Sequence, residues 1–202
     1  MKIICIGRNY ADHAKELNNP LPTEPVFFMK PDTAYLPAKT PFYIPDFTND
    51  LHYECEIVLK ICKVGKNISE KFASQYYKEM TLGIDFTARD LQEACKEKRL
   101  PWEKAKAFDN SAPMGFEWKN VDQEKLDFSF ELKKNGDTVQ VGHTQDMIFS
   151  FDKIIAYVSQ FVTLKTGDLI FTGTPAGVGP VAIGDVLEGF IGAEKVLELQ
   201  IK

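Results

Sequence analysis

Seven of the eleven prolines in this chain fall between residues 20 and 45, at positions 20, 22, 25, 31, 37, 41 and 45. Proline has no amide hydrogen to give to a helix interior or a central strand, so this stretch is neither. Within it, Val26-Phe27-Phe28-Met29 predicts one short strand running into Lys30-Pro31. Ahead of it, the apolar run at 3–6 predicts a first strand. With one positive charge before it, that run is too short for a signal peptide. A short helix starting after Asn9 or Asp12, either of which can cap it, leads into the prolines. Residues from about 10 to 32 thus read as a mobile lid.

Further along, apolar and polar residues alternate over 126–142 about Asn135-Gly136, a strong hairpin signal. Leu169-Ile170-Phe171 predicts a buried strand, 113–118 a short one, and 185–190 with 195–201 a closing hairpin. Helices are predicted over 68–77, 89–98 and 152–161. The first carries Asn67 and Glu70 as a capping box, with Phe72 and Tyr76 on one face. The second turns Leu91 and Cys95 inward and stops before Pro101. No repeat or linker divides the sequence, so the expectation is one β-rich α+β domain over 1–202.

The formal charge of −5 argues against nucleic acid as a partner, and no apolar run approaches the length of a membrane span. Cys5, Cys55, Cys62 and Cys95 lack the paired spacing of zinc or thioredoxin motifs. They read as reduced thiols in a cytoplasmic protein, with Cys5 and Cys55 buried.

The chemistry centres on His52-Tyr53-Glu54-Cys55-Glu56. Alternate residues of a strand share a face, so His52, Glu54 and Glu56 lie on one side and Tyr53, Cys55 and Ile57 on the other. If the two carboxylates approach to about 5 Å, they repel by roughly 3 kcal/mol at an effective dielectric near 20. Water relieves this on an open surface; in a cleft a cation or a proton must. A solvated acidic face accounts for these five residues alone. Leu82-Gly83-Ile84-Asp85-Phe86 adds a carboxylate inside an apolar run, where one is seldom buried without a partner. Glu54, Glu56 and Asp85 make a plausible oxygen set for Mg²⁺ or Mn²⁺, with Ca²⁺ a further candidate. His13 and Glu16, three apart, share a helix face and form either a solvated pair or a proton-accepting dyad. The loop at 172–180 lacks the ending of a phosphate-binding P-loop. It is either a turn that needs positive φ or a nest around Gly173 and the Thr174 hydroxyl for a substrate carboxylate. A zinc site is disfavoured: no His-Glu-x-x-His helix is present, and His143 reads as a surface residue at the exit of a hairpin.

Gly7-Arg8-Asn9-Tyr10-Ala11-Asp12-His13, the Glu54-x-Glu56 strand, Asp85-Phe-Thr-Ala-Arg89-Asp90-Leu-Gln92, Leu100-Pro101-Trp102 with Lys106, and the loop 172–180 occur in that order. Together they resemble the fumarylacetoacetate hydrolase family over essentially the whole chain, and most closely its single-domain acylpyruvase and oxaloacetate decarboxylase branch. The resemblance implies a mixed β-sandwich roll with a few short helices, and a divalent metal on Glu54, Glu56 and Asp85. It implies His13 and Glu16 as a water-activating dyad on a lid, and Arg89, Gln92 and Lys106 as groups for substrate oxygens or developing charge. Gly173 and Thr174 match a carboxylate-binding turn. Tyr53 departs from relatives that carry a second histidine there. A small oxo-acid substrate and a homodimer are implied as well.

The reaction expected first is hydrolysis of a 2,4-dioxo acid (an acylpyruvate) to pyruvate and a carboxylic acid, with pyruvate leaving as its enolate. The alternatives are oxaloacetate decarboxylation or tautomerisation, isomerisation of a 2-hydroxyhepta-2,4-diene-1,7-dioate, and a non-catalytic cation site.

Overall fold

The run 51–61 has the alternation of a strand, yet it belongs to two sheets. The computed structural model describes residues 1–16, 21–123 and 126–202. In it the chain forms β1 (Ile3–Gly7), α1 (Ala11–Glu16), β2 (Val26–Lys30), β3 (Tyr35–Leu36), β4 (Leu51–Tyr53) and β5 (Cys55–Ile61). Next come a 3₁₀ segment (Glu70–Tyr76), β6 (Tyr77–Ile84), β7 (Thr87–Ala88), α2 (Arg89–Glu97), α3 (Glu103–Lys106), β8 (Ala112–Pro113) and β9 (Lys119–Asn120). The remainder is β10 (Ser129–Lys134), β11 (Asp137–His143), α4 (Phe151–Phe161), β12 (Leu169–Phe171), β13 (Gly179–Pro180), β14 (Val186–Ile191) and β15 (Glu194–Gln200).

A six-stranded sheet runs β2-β1-β12-β5-β6-β9, with β1 and β12 parallel and the other pairs antiparallel. A four-stranded antiparallel sheet, β11-β10-β14-β15, lies against it. The sheets approach closely at Gly189, where an added Cβ would sit 2.9 Å from Leu82 Cδ1. The core between them is built from Ile57, Leu59, Leu82, Leu132, Leu187 and Leu197 among others. This is the expected mixed α+β fold, rich in strands and with few short helices.

Two changes of sheet matter most. β4 pairs with β13 and β7, whereas β5 pairs with β12 and β6; the switch falls at Glu54. The chain makes the same switch from β6 to β7 across Asp85 and Phe86. The Asp85 N–H donates to Glu54 O at 2.8 Å, locking the two switches side by side. β12 also ends at this level, and so does β1, so four strand ends converge at one end of the large sheet.

Local expectations fared unevenly. Asn135 and Gly136 both take positive φ between β10 and β11, as the hairpin requires. α4 is capped by Ser150, whose side chain accepts from Lys153 N. The helix expected at 68–77 is instead the 3₁₀ segment. Asn67 has φ 52°, which no N-cap adopts, and Phe72 is 49 % exposed. The 2.0 Å rise of a 3₁₀ helix carries seven residues about 14 Å, some 3–4 Å further than an α-helix would, before Tyr77 joins the sheet. Of the strand expected at 113–118, only the end of β8 at Pro113 and a single bridge at Met114 form, and β9 begins just beyond it. On α2 the buried residues are Arg89, Gln92 and Cys95, with Leu91 half-buried. Asn9 does not cap α1. Its buried side chain donates to Phe149 O and Thr172 O and accepts from Phe149 N, tying the end of β1 to the end of β12. Of the expected lid, residues 17–20 lie outside the described residues. Val26–Lys30 is paired with β1 along its whole length, so that part is sheet rather than lid.

Candidate active site

Glu54, Glu56 and Asp85 are all buried, and one carboxylate oxygen from each lies within 4.8 Å of the others. Three acids this close and this dry need compensation. Lys106 Nζ donates to Glu54 Oε2 and to Asp85 Oδ2, both at 2.8 Å. Arg89 Nη2 donates to Glu54 Oε1 at 2.7 Å, as does the Thr87 hydroxyl at 3.0 Å. Lys30 Nζ stands 2.7 Å from Asp85 Oδ1 with no exposed side-chain surface. Lys30 and Thr87 both contact the triad and were missed by sequence reasoning, as was Lys96, which lines the same cleft.

Electrostatics separate the two glutamates. Burial opposes ionisation of Glu54, but Lys106 and then Arg89 outweigh it and hold the carboxyl below the usual range. Glu56 goes the other way: burial, then the charges of Asp85 and Glu54, push its carboxyl well above the usual range. Its partner is neutral, the Gly173 N–H at 2.6 Å. Burial also works against the Lys106 ammonium, and the Asp85 and Glu54 carboxylates more than reverse that.

The donor set fits a hard divalent cation. Three carboxylate oxygens can meet at one point, and Asp85 Oδ1 is buried with no hydrogen-bond donor in line despite its ion contact with Lys30. Glu54, Glu56 and Asp85 would each supply one oxygen to such an ion, leaving room for further oxygen ligands from outside the chain. Glu56 must be deprotonated to ligate, so ion binding releases a proton. Mg²⁺ affinity is therefore expected to fall as pH drops, by up to about tenfold per pH unit while Glu56 is protonated. Calorimetric titrations in buffers of different ionisation enthalpy would read both effects, and a flat affinity from alkaline to mildly acidic pH would contradict them. The linkage has a second consequence. Because the carboxyl of Glu56 is raised on folding, its contribution to stability is full below the ordinary glutamate range and is lost as pH rises through its folded value. A bound cation should remove that loss.

The loop at 172–180 proves to be a scaffold for carboxylates of the protein itself. Gly173 has φ +107° and Gly177 φ +96°. The Gly173 N–H, expected to face a substrate carboxylate, is committed to Glu56. The Gly177 N–H donates to Glu16 Oε1 at 3.1 Å. Thr174 donates to Cys55 O and accepts from Gln140 Nε2, and it lines the cleft above the triad. Glu16 in turn accepts from His13 Nδ1 at 3.1 Å, leaving Nε2 as the basic nitrogen. His13 is buried and lines the same cleft as Arg89, Gln92 and Lys106, so the expected residues do come together. Arg89 Nη1 donates to Gln92 Oε1 at 2.7 Å, while Arg89 Nε is buried and without a partner among the described residues. Tyr53 is buried in the core, and His143 is exposed. His52 contacts Asp50 rather than the triad.

A Cβ at position 177 would lie 2.2 Å from Val139 O, at a φ that side chains rarely take. Gly177→Ala should therefore cost about 1–3 kcal/mol of stability and lower kcat by releasing Glu16. Chemical denaturation with initial rates checks both, and a fully active variant would contradict the role given to this turn.

A family model described as fumarylacetoacetate (FAA) hydrolase C-terminal matches residues 2–202. Among curated relatives, the mitochondrial oxaloacetate tautomerase FAHD1 of Bos taurus is 44 % identical over 99 % of this chain and 90 % of its own. The mitochondrial oxaloacetate decarboxylase of Dictyostelium discoideum is 42 % identical over 99 % and 93 %. Among solved structures, fumarylpyruvate hydrolase from Pseudomonas aeruginosa, in complex with Mn²⁺ and pyruvate, superposes with a TM-score of 0.93 at 36 % identity, covering 100 % of this chain and 89 % of that one. With a matching model over nearly its full length, and the acidic triad and imidazole–carboxylate pair in one cleft, the chain belongs to the fumarylacetoacetate hydrolase family.

Proposed function

We propose that the protein is a divalent-metal-dependent enzyme that enolises 2-oxo acids, with oxaloacetate as its substrate and keto–enol tautomerisation as its main reaction. The observation that carries this is the opening of a basic imidazole nitrogen and a cation-binding triad into one cleft. The identity with oxaloacetate tautomerases and a decarboxylase supports the choice of substrate. A divalent ion, which Glu54, Glu56 and Asp85 would hold, would supply Lewis acidity to the oxo-acid end of the substrate.

The residues of the chain do the rest. His13 Nε2 takes a proton from C3, and Glu16 stabilises the imidazolium that results. Glu16 is itself held by Gly177 N–H, so the dyad is oriented from the core rather than by α1 alone. Arg89 turns its unpartnered Nε–H to the substrate carboxylate, and its hydrogen bond to Gln92 fixes the guanidinium plane. Lys106 donates to the oxygen that gains charge as the enolate forms. Return of the proton to oxygen or carbon completes the tautomerisation. Loss of the 4-carboxylate as CO₂ reaches an enolate without a base. Hydrolysis of an acylpyruvate is a second reading, favoured by the likeness to fumarylpyruvate hydrolase. There His13 would take its proton from water.

The test is His13→Ala assayed on oxaloacetate and acetylpyruvate, with enol absorbance and CO₂ release followed separately. Tautomerisation and hydrolysis should fall by about 10²–10⁴-fold, while decarboxylation falls much less. Equal loss of all three would contradict this division of labour.

A further inference from the structure

The cations of the cleft divide into two sets. Lys30, Arg89 and Lys106 are buried and each contacts Glu54 or Asp85 at 2.7–2.8 Å, so three cations match the full charge of the triad even when Glu56 is ionised. Arg8 and Lys96 also line the cleft but are more open, Arg8 half-buried and Lys96 exposed. Among the described residues neither has an ion-pair partner, and adding a divalent ion to the triad would deepen the positive surplus they create.

Their placement is specific. Arg89, Gln92 and Lys96 share one face of α2, and that face runs from buried to exposed, from the triad towards solvent. Helical side chains lean towards the N-terminus, so the Lys96 ammonium is carried back over Gln92 towards Arg89. Although much of the side chain is open to solvent, partial desolvation against the cleft wall, then Arg89 and Arg8, hold its ammonium below the usual lysine range. Trp102 backs Lys96, with the ammonium 6.0 Å from the ring centroid. Arg8 follows the last residue of β1 in the left-handed region, φ 60°, which few non-glycine residues occupy. Such strain persists where surroundings impose it, and here it accompanies a guanidinium at the cleft. Two further cations set beside an inner site whose acids are already fully compensated ask for an anion from outside.

We propose that Arg8 and Lys96 bind a second carboxylate of the substrate, at the end away from the triad, and so make the enzyme select oxo-dicarboxylates over oxo-monocarboxylates of similar size. This rests on the reading of the cleft as a 2-oxo-acid site. The two residues are specificity determinants and take no part in proton transfer.

Arg8→Gln, Lys96→Gln and the double variant test it, with Lys96→Arg as the conservative rescue. The reading is the ratio of kcat/KM for oxaloacetate to that for acetylpyruvate, with Mg²⁺ saturating. Each single variant should lower that ratio about tenfold, the scale of one charge-assisted hydrogen bond, and the double variant should lower it further. Lys96→Arg should keep it. A ratio within twofold of the parent in the double variant would overturn the proposal, as would equal loss on both substrates. Equilibrium binding to the Mg²⁺-loaded protein supplies a second readout, comparing 2-oxoglutarate with 2-oxovalerate, which differ by a terminal carboxylate. If the parent turns over no oxo acid, the proposed reaction fails, and the binding ratio alone decides the subsite. Preference for the diacid that the double variant erases sustains the subsite; equal binding of both acids by the parent overturns it.

Discussion

Lys30→Met is expected to lower folding stability of the metal-free protein by about 3–5 kcal/mol, the cost of stripping one partner from a buried ion pair. For a chain of this size that is a fall in Tm of roughly 6–20 °C. The reason lies in what the ammonium touches. It stands 2.7 Å from Asp85 Oδ1, and it donates to Ser111 O at 2.9 Å, Ser111 Oγ at 3.0 Å and Phe86 O at 3.3 Å. Methionine fills the space but leaves a buried carboxylate and two carbonyls short of a donor. Added Mg²⁺ should recover part of the loss, because a cation on the triad again compensates Asp85. Differential scanning calorimetry with and without Mg²⁺ reads both. A variant that melts within about 2 °C of the parent would mean that Lys30 does not compensate Asp85.

Asp85→Asn is expected to reduce kcat/KM by at least about 10³-fold, since it removes one of the three carboxylates proposed to hold the ion and with it much of the charge stabilisation at the reacting end. The amide keeps the side chain's shape, Lys106 retains Glu54 and Lys30 retains Ser111 and Phe86, so the fold should persist despite the loss of a buried ion pair, and stability is measured alongside activity. Rates measured across a wide range of Mn²⁺ concentration separate weakened ion binding from a defective bound state. Activity within tenfold of the parent would place the reaction elsewhere in the molecule. Glu93→Gln, on the exposed side of α2, is the control and should change little.

The sequence revealed most where a local rule decides structure. Asn135-Gly136 needs positive φ at both positions whatever surrounds it, and the periodicity of α4 buries one face wherever it packs. The acidic triad was legible for a related reason, since a carboxylate in an apolar run has few explanations. What escaped was set at long range. A lysine at the end of a strand and before a proline reads as a solvated terminus. Lys30 is buried because Ser111 and Phe86, far along the chain, close over it. The glycine turn does take positive φ, one of the two readings its sequence left open. Which anion its N–H groups face depended on how Glu56 and Glu16 arrive from other elements, and they, not a substrate, take Gly173 and Gly177. The sheet switches at Glu54 and Asp85 left no mark that alternation could show, because the pattern runs on unbroken through both.

The proposed reaction requires Glu54, Glu56 and Asp85 to hold one divalent ion between them, in competition with the Lys106 ammonium. Anomalous scattering from crystals grown with Mn²⁺ tests it most directly. A single strong peak is expected within bonding distance of one oxygen from each residue, with Lys106 Nζ displaced from at least one of the two carboxylates it now bridges. A peak elsewhere, or no peak with Lys106 still between Glu54 and Asp85, would contradict it.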